Sequence, residues 1–228
     1  TLTVSDTVSD PDGLGSTVYK WYADGVIIMD GAQEASGNSL ELSQVLAGSE
    51  ITAKLEYTDA GGFSGLVESL ATSSVNSPPT NLRSDLGLSI DEETPPGTLA
   101  GMLDATDLDG DTLSFSLTAG EGDDNNSLFQ LDSNGTLTAL STFDYENMSA
   151  SSIRVQVDDG RGASMEGSFM VEVNNVDEEP VGMVTISGIP MLGETLTVTD
   201  NLSDPDGLGA ITYGWYKQGD SFSNENRL

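Results

Sequence analysis

Asp107-Leu-Asp109-Gly110 stands 97 residues after Asp10-Pro-Asp12-Gly13 and 97 residues before Asp204-Pro-Asp206-Gly207. A constant interval of about 100 residues is the length of one β-sandwich domain, so the chain reads as a tandem array presenting one carboxylate pair at one place in each unit. Two carboxylates one residue apart repel each other unless a cation lies between them. Hard oxygen ligands on a turn that glycine permits suit Ca2+. A lone Asp-Pro-Asp-Gly serves a plain turn equally well, with Asp and Gly each meeting backbone needs. Three copies in register favour the ion.

Working outward, the ends of the chain are copies of one another. Residues 1–25 and 195–219 share sixteen identical positions at an offset of 194, among them Tyr19-x-Trp21-Tyr22 and Tyr213-x-Trp215-Tyr216. The outer units are therefore one repeat type, and the middle unit is a different sequence on the same period. Proline marks the boundaries, at Asn76-Ser-Pro-Pro-Thr80 and Asn175-Val-Asp-Glu-Glu-Pro180, which divides the chain into residues 1–77, 78–179 and 180–228. Period-two alternation at Ile51–Tyr57, Leu113–Leu117, Ile153–Val157 and Phe169–Val173 predicts half-buried strands. Asn134-Gly135, between Phe129-Gln-Leu131 and Leu137-Thr-Ala139, predicts a hairpin with a type I′ turn. Leu42–Gly48 is the one helical or 3₁₀ candidate, and the fold class is all-β, a tandem array of Greek-key β-sandwiches.

Charge and inventory exclude whole classes of function. Net charge is −31, from 38 Asp plus Glu against seven Lys plus Arg, which excludes nucleic acid as a natural partner and disfavours anionic lipid. His and Cys are both absent, so there is no imidazole base, no thiolate nucleophile, no usual zinc or haem ligand set and no disulfide. A non-enzymatic role is expected. Asp144 and Glu146 lie two residues apart on one segment and lack the placement across a cleft that a glycosidase pair needs. Trp21 and Trp215 read as core residues of a sandwich rather than as a sugar-stacking platform. No apolar run approaches the ~20 residues of a membrane span and no signal peptide is evident, so the chain is expected to be a soluble piece of something longer.

The middle unit carries six ordered motifs: Asp91-Glu92-Glu-Thr-Pro-Pro-Gly97, Asp104-Ala-Thr-Asp107-Leu-Asp109-Gly, Phe129-x-Leu-Asp132-x-x-Gly135, Phe143-Asp144-Tyr-Glu146, Val157-Asp-Asp159-Gly160 and Asn175-Val-Asp177-Glu178-Glu-Pro180. Through them it resembles a bacterial cadherin-like domain of calcium-dependent, RTX-type adhesin arrays. The flanking units, with Ser-Asp-Pro-Asp-Gly-Leu-Gly before Tyr-x-Trp-Tyr, resemble immunoglobulin-like repeats of the same adhesins. The resemblance implies Ca2+ at the junction between consecutive domains. At the second junction the implied ligands are Glu92, Asp144 and Glu146 from one domain, Asn175, Asp177 and Glu178 from the linker, and Asp204 and Asp206 from the next domain. At the first junction Asp107, Asp109 and Asp159 face a linker without acids, so weaker binding is expected there. Asp10, Asp12 and Asp59 are the equivalent set of the first unit. Asp123-Asp-Asn-Asn126 is a further acidic loop.

These readings imply a secreted or cell-surface bacterial segment, structural in role, whose partners are the neighbouring domains of its own chain. Other adhesin chains and surface polysaccharide or protein are the wider partners, and the alternative role is a Ca2+-dependent carbohydrate- or protein-binding module. The outer units are partial in complementary ways, so Val181–Glu194 of one molecule would complete the first unit of another by strand exchange. Light scattering at high protein concentration is expected to show such a homo-oligomer, and a strict monomer removes strand exchange from consideration.

Overall fold

The computed structural model describes residues 1–11, 13–217 and 220–223. Among them helical structure is limited to two 3₁₀ turns, Gln44–Leu46 and Asn126–Leu128, and the rest is strand, turn and loop. The first of these turns falls inside the single helical candidate of the sequence. The fold is an all-β sandwich array.

Alternation in sequence becomes alternation in burial. Along Ala150–Asp158, Ser151, Ile153, Val155 and Val157 face inward and are at most 1 % exposed, while the residues between them face out. This strand is the centre of a four-stranded sheet in the order Leu88–Asp91, Ser164–Asn174, Ala150–Asp158, Ser114–Leu117. A second layer, Leu99–Met102, Thr136–Ala139 and Phe129–Leu131, closes over it. Leu137, Val171 and the stacked pair Phe129–Phe143, with ring centroids 5.4 Å apart, fill the space between.

One pairing positions everything that follows. Leu88–Asp91 runs parallel to Ser164–Asn174, with Asp91 opposite Asn174, so both strands end at the same pole. Glu92, the next residue, donates its backbone N–H to the Asn174 carbonyl at 3.1 Å. The end of one strand and the start of the linker are thereby held side by side.

The first unit has a separate core of Trp21, Ala35, Leu40, Leu46, Ile51 and Ala53. Its main sheet orders Val26–Ile27, Leu14–Ala23, Ile51–Asp59 and Ser64–Glu68. Trp21 is 3 % exposed and its indole N–H donates to the Gly37 carbonyl at 2.9 Å, which makes it a core residue, as its place on a central strand implied. In the third unit Val184–Ser187 and Thr197–Asp200 form a hairpin, and Trp215 is likewise buried. The Asp123–Asn126 loop is structural: Asn125 and Asn126 side-chain oxygens accept from the N–H groups of Ser152 and Arg154, and the Asp123 carboxylate accepts from Gly120 N–H.

The hairpin at Asn134-Gly135 forms, but its turn is not type I′. That type requires positive φ at both central residues, and only Gly135, at +88°, has it. Instead Gly135 N–H closes a turn onto the Asp132 carbonyl at 2.9 Å, and Leu131 pairs with Leu137. The reason is tertiary. Leu103 N–H donates to the Gly135 carbonyl, and a Cβ at 135 would sit 2.2 Å from the Leu103 carbonyl oxygen. Gly135→Ala thus meets both a disfavoured φ and a backbone collision, and is expected to cost about 2 kcal/mol or more. Denaturant unfolding checks this; an unchanged midpoint contradicts the close approach.

Candidate metal centres at the unit junctions

At the pole where the second unit meets the linker, Glu92 turns inward and is 2 % exposed. Its two carboxylate oxygens accept backbone N–H groups, from Tyr145 at 2.7 Å and from Val176 at 2.8 Å. A buried carboxylate held by two amides stays oriented and keeps lone pairs for a further partner. Beside it the carboxylates of Glu146 and Glu178 converge, so that one oxygen of each lies within 4.8 Å of one of the others and of Glu92. Two oxygens bound to one Ca2+ at about 2.3–2.6 Å can be no more than about 5 Å apart, so this spacing fits a shared ion.

The linker and the third unit complete the group. Asn175 Nδ2 donates to Glu146 Oε1 at 3.3 Å and to Asp206 Oδ1 at 2.6 Å, and Glu178 N–H donates to Asp206 Oδ2 at 2.9 Å. Asp144 and Asp177 line the same cavity with Glu179. The Asp144 carboxylate is engaged locally, accepting Asn147 N–H at 3.0 Å and the Asn147 amide at 2.5 Å. Asp204 likewise serves its own turn, accepting Asp206 N–H at 3.0 Å. Glu178 Oε2 is buried with no hydrogen-bond partner. None of the ion pairs among the described residues reaches Glu92, Glu146 or Glu178. The donor set is all oxygen, the chemistry of a hard divalent cation.

The first junction is built differently. Asp107, Asp109 and Asp111 form a second group of converging carboxylates, and Asp107 Oδ1 accepts the N–H groups of Asp109 and Asp111. Asp109 accepts both the N–H and the hydroxyl of Ser77, at 3.2 and 2.7 Å, while Asn76 Nδ2 donates to Asp159 Oδ2 at 2.7 Å. Arg161 adds ion pairs to Asp109 at 3.0 Å and Asp111 at 3.3 Å. Asp111 and Arg161 were missed by sequence reasoning. Asp111 extends the alternate-residue run Asp107, Asp109, and Arg161 follows Asp159-Gly160; both signals were legible once a loop of carboxylates needed a counter-charge. Asp59 sits elsewhere, beside the 10–13 loop, since Leu14 pairs with it; its carboxylate accepts Phe63 N–H at 2.7 Å. Asp10 belongs to that same loop, and Asp12 lies outside the described residues.

Residues 76–172 match the family model of the bacterial Ig domain, so the middle unit is Ig-like in sequence as well as a β-sandwich in fold. Similar solved structures include protocadherin gamma B7 extracellular cadherin domains 1–4, at 17 % identity over 83 % of this chain and 51 % of that chain with a TM-score of 0.47. Human protocadherin-24 EC1-2 is similar at 20 % identity over 48 % of this chain and 50 % of that one, with a TM-score of 0.39. The protocadherin gamma B4 extracellular domain is similar at 20 % identity over 91 % of this chain and 37 % of that one, with a TM-score of 0.47. The chain thus spans about half the length, or less, of these structures. No curated protein matches it in sequence.

The crowding of acids at the second junction has a titration signature. Burial pushes the Glu178 carboxyl up from 4.5 to about 7, helped by its hydrogen bond with Asp206 and by the charges of Glu92, Asp206 and Glu146. Asp206 moves the other way, held down first by the Asn175 amide and then by Glu178 N–H. A carboxyl raised on folding binds more protons in the folded than in the unfolded state between those two values. Its stabilising contribution is full below pH 4.5 and is lost as the pH rises through about 7. With chelator present, thermal melts are expected to show wild type losing stability across this window relative to Glu178→Gln; parallel profiles contradict the arrangement.

Proposed function

We propose that this chain is a structural segment of an extracellular bacterial adhesin-type protein, whose second and third units are held at a fixed angle by Ca2+ bound between them. The observation that carries the reading is the convergence of Glu92, Glu146 and Glu178, with Glu178 Oε2 buried and unpartnered and no ion pair to any of the three among the described residues. The Ig-like family of the middle unit supports an extracellular, non-enzymatic role. Glu92, Glu146 and Glu178 would hold the ion, with Asp206, Asp177 and Asp144 close enough to take part directly or through water. The bound ion would supply positive charge and a template linking groups from three segments.

The mechanism is electrostatic. Without a cation the clustered carboxylates repel, and the linker 175–180 acts as a hinge; with one, the same charges become ligands that join the second unit, the linker and the third unit. Extracellular Ca2+ modules have Kd of about 10⁻⁴–10⁻³ M, so millimolar calcium fills them outside a cell and micromolar calcium does not. A hundredfold excess over Kd adds about 2–3 kcal/mol to the folded, docked form. A carbohydrate-binding role would need exposed aromatics beside the acids. Phe143, the one aromatic among the residues lining the acid-rich cavity, is 5 % exposed and packs in the core, which favours the spacer; Tyr145 is exposed but is not among those lining residues.

Calorimetric titration of the chain with CaCl2 is expected to give binding in the range above, lost in the double variant Glu146→Gln, Glu178→Gln. Mg2+ is expected to bind more weakly, because it keeps its waters and demands near-octahedral geometry. Small-angle scattering should show a narrower, more extended particle with calcium than with chelator. No heat of binding together with unchanged scattering would overturn the reading.

A further inference from the structure

We infer that Arg161 is the resident cation of the first junction, clipping the first and second units together without a divalent ion, so that withdrawal of calcium loosens the array at the second junction alone. The half concerning the second junction rests on the function proposed above; the half concerning Arg161 stands on its own geometry.

The guanidinium makes three contacts, two inside the second unit and one across the boundary. Nη1 reaches Asp109 Oδ2 at 3.0 Å and Asp111 Oδ2 at 3.3 Å, both in the second unit, and Nη2 donates to the Ser74 carbonyl at 2.7 Å, in the tail of the first unit. A planar fork can serve acceptors on two sides at once, whereas an ammonium is a single point of charge. The acids are well held: the Asp109 side chain is 1 % exposed, and the Ser77 hydroxyl leads the groups that lower its carboxyl to about 2. Gly48, from a loop of the first unit, faces Asp109, whose Cβ would lie 3.4 Å from a Cβ added at position 48, and it ties back through its N–H to the Val75 carbonyl at 2.9 Å. Asp159, 3 % exposed, accepts the N–H groups of Arg161 and Ala163 on one oxygen and the Asn76 amide on the other. Asn76 and Ser77 therefore dock onto the second unit through direct hydrogen bonds.

The contrast between the junctions is one of charge supply. Both gather carboxylates at a pole of a sandwich, but only the first has a side-chain cation among the described residues. Asp107 Oδ2 and Asn76 Oδ1 are buried without hydrogen-bond partners, so an ion taken up beside the guanidinium would add to the clip. The decisive measurement is accordingly made in chelator.

The chain has no cysteine, so pairs of introduced cysteines can carry spin labels at exposed sites. Val26→Cys with Leu140→Cys spans the first junction, and Leu140→Cys with Leu192→Cys spans the second. In chelator the first pair is expected to keep a narrow distance distribution and the second to broaden. Arg161→Gln should broaden the first pair in chelator and leave the response of the second as it was; Asp111→Asn should broaden it less, and Arg161→Lys should fall short of full rescue. Unchanged far-ultraviolet circular dichroism certifies that each variant is folded. A first pair that broadens in wild type on chelation, or that ignores Arg161→Gln, overturns the inference. A second pair indifferent to chelator, with the first still responsive to Arg161→Gln, overturns the calcium reading and leaves the clip standing.

Discussion

Carboxylates gathered at the poles of stacked sandwiches have to be neutralised, and the arrangement of this chain follows from that requirement. Loops and strand ends meet at the poles, and with 38 acids against seven bases most of what meets there is negative. Removing such charges from water is expensive unless each finds a counter-charge or hydrogen-bond donors. Two remedies are visible side by side. At the first junction Ser77, Asn76 and Arg161 supply donors and one positive charge. At the second, Glu92 has two backbone amides, while Glu146 and Glu178 crowd against it with no ion pair among the described residues.

The precision of the second pole comes from the sheet rather than from the loops. Parallel pairing of Leu88–Asp91 with Ser164–Asn174 ends two strands together, and the linker departs from the second of them. Stacking of Phe143 on Phe129 fixes the residue that precedes Asp144, and the Asp144–Asn147 turn then places Glu146. Glu93, at a φ of +56°, reverses the chain after Glu92 and donates its N–H to the Phe143 carbonyl at 3.0 Å. Three segments far apart in sequence are thus aimed at one point by a core whose inner residues, Ile153, Val155, Val157 and Val171, are fully buried.

Much of this was legible beforehand. The interval between Asp-x-Asp-Gly motifs, the alternation at Ile51–Tyr57 and Ile153–Val157, and the placement of Trp21 in a core follow from local pattern and unit length, which do not depend on the partner across a sheet. Glu92, Glu146, Glu178 and Asp206 were named together through resemblance to an arrayed domain, and the structure brings them to one pole. The type I′ turn at Asn134-Gly135 was misread because Leu103, distant in sequence, dictates the backbone there. Asp204 was named with those acids; its Oδ1 accepts Asp206 N–H inside its own turn, a local partner that spacing does not reveal.

The amino-acid sequence alone determined the period, the strand content, the excess of acid and the absence of imidazole and thiol chemistry, since these are properties of residue type and order. Which acids face one another, and which of them meet Arg161 instead, was decided only in three dimensions. Asp109 and Arg161 are separated by 52 positions and meet because Ser114 pairs with Asp158, which sets their loops side by side; the reach of Arg161 to Ser74 depends in turn on how the first unit's tail seats against that pole. Charge composition says that a counter-ion is needed; packing says whether it is an arginine or something from solution.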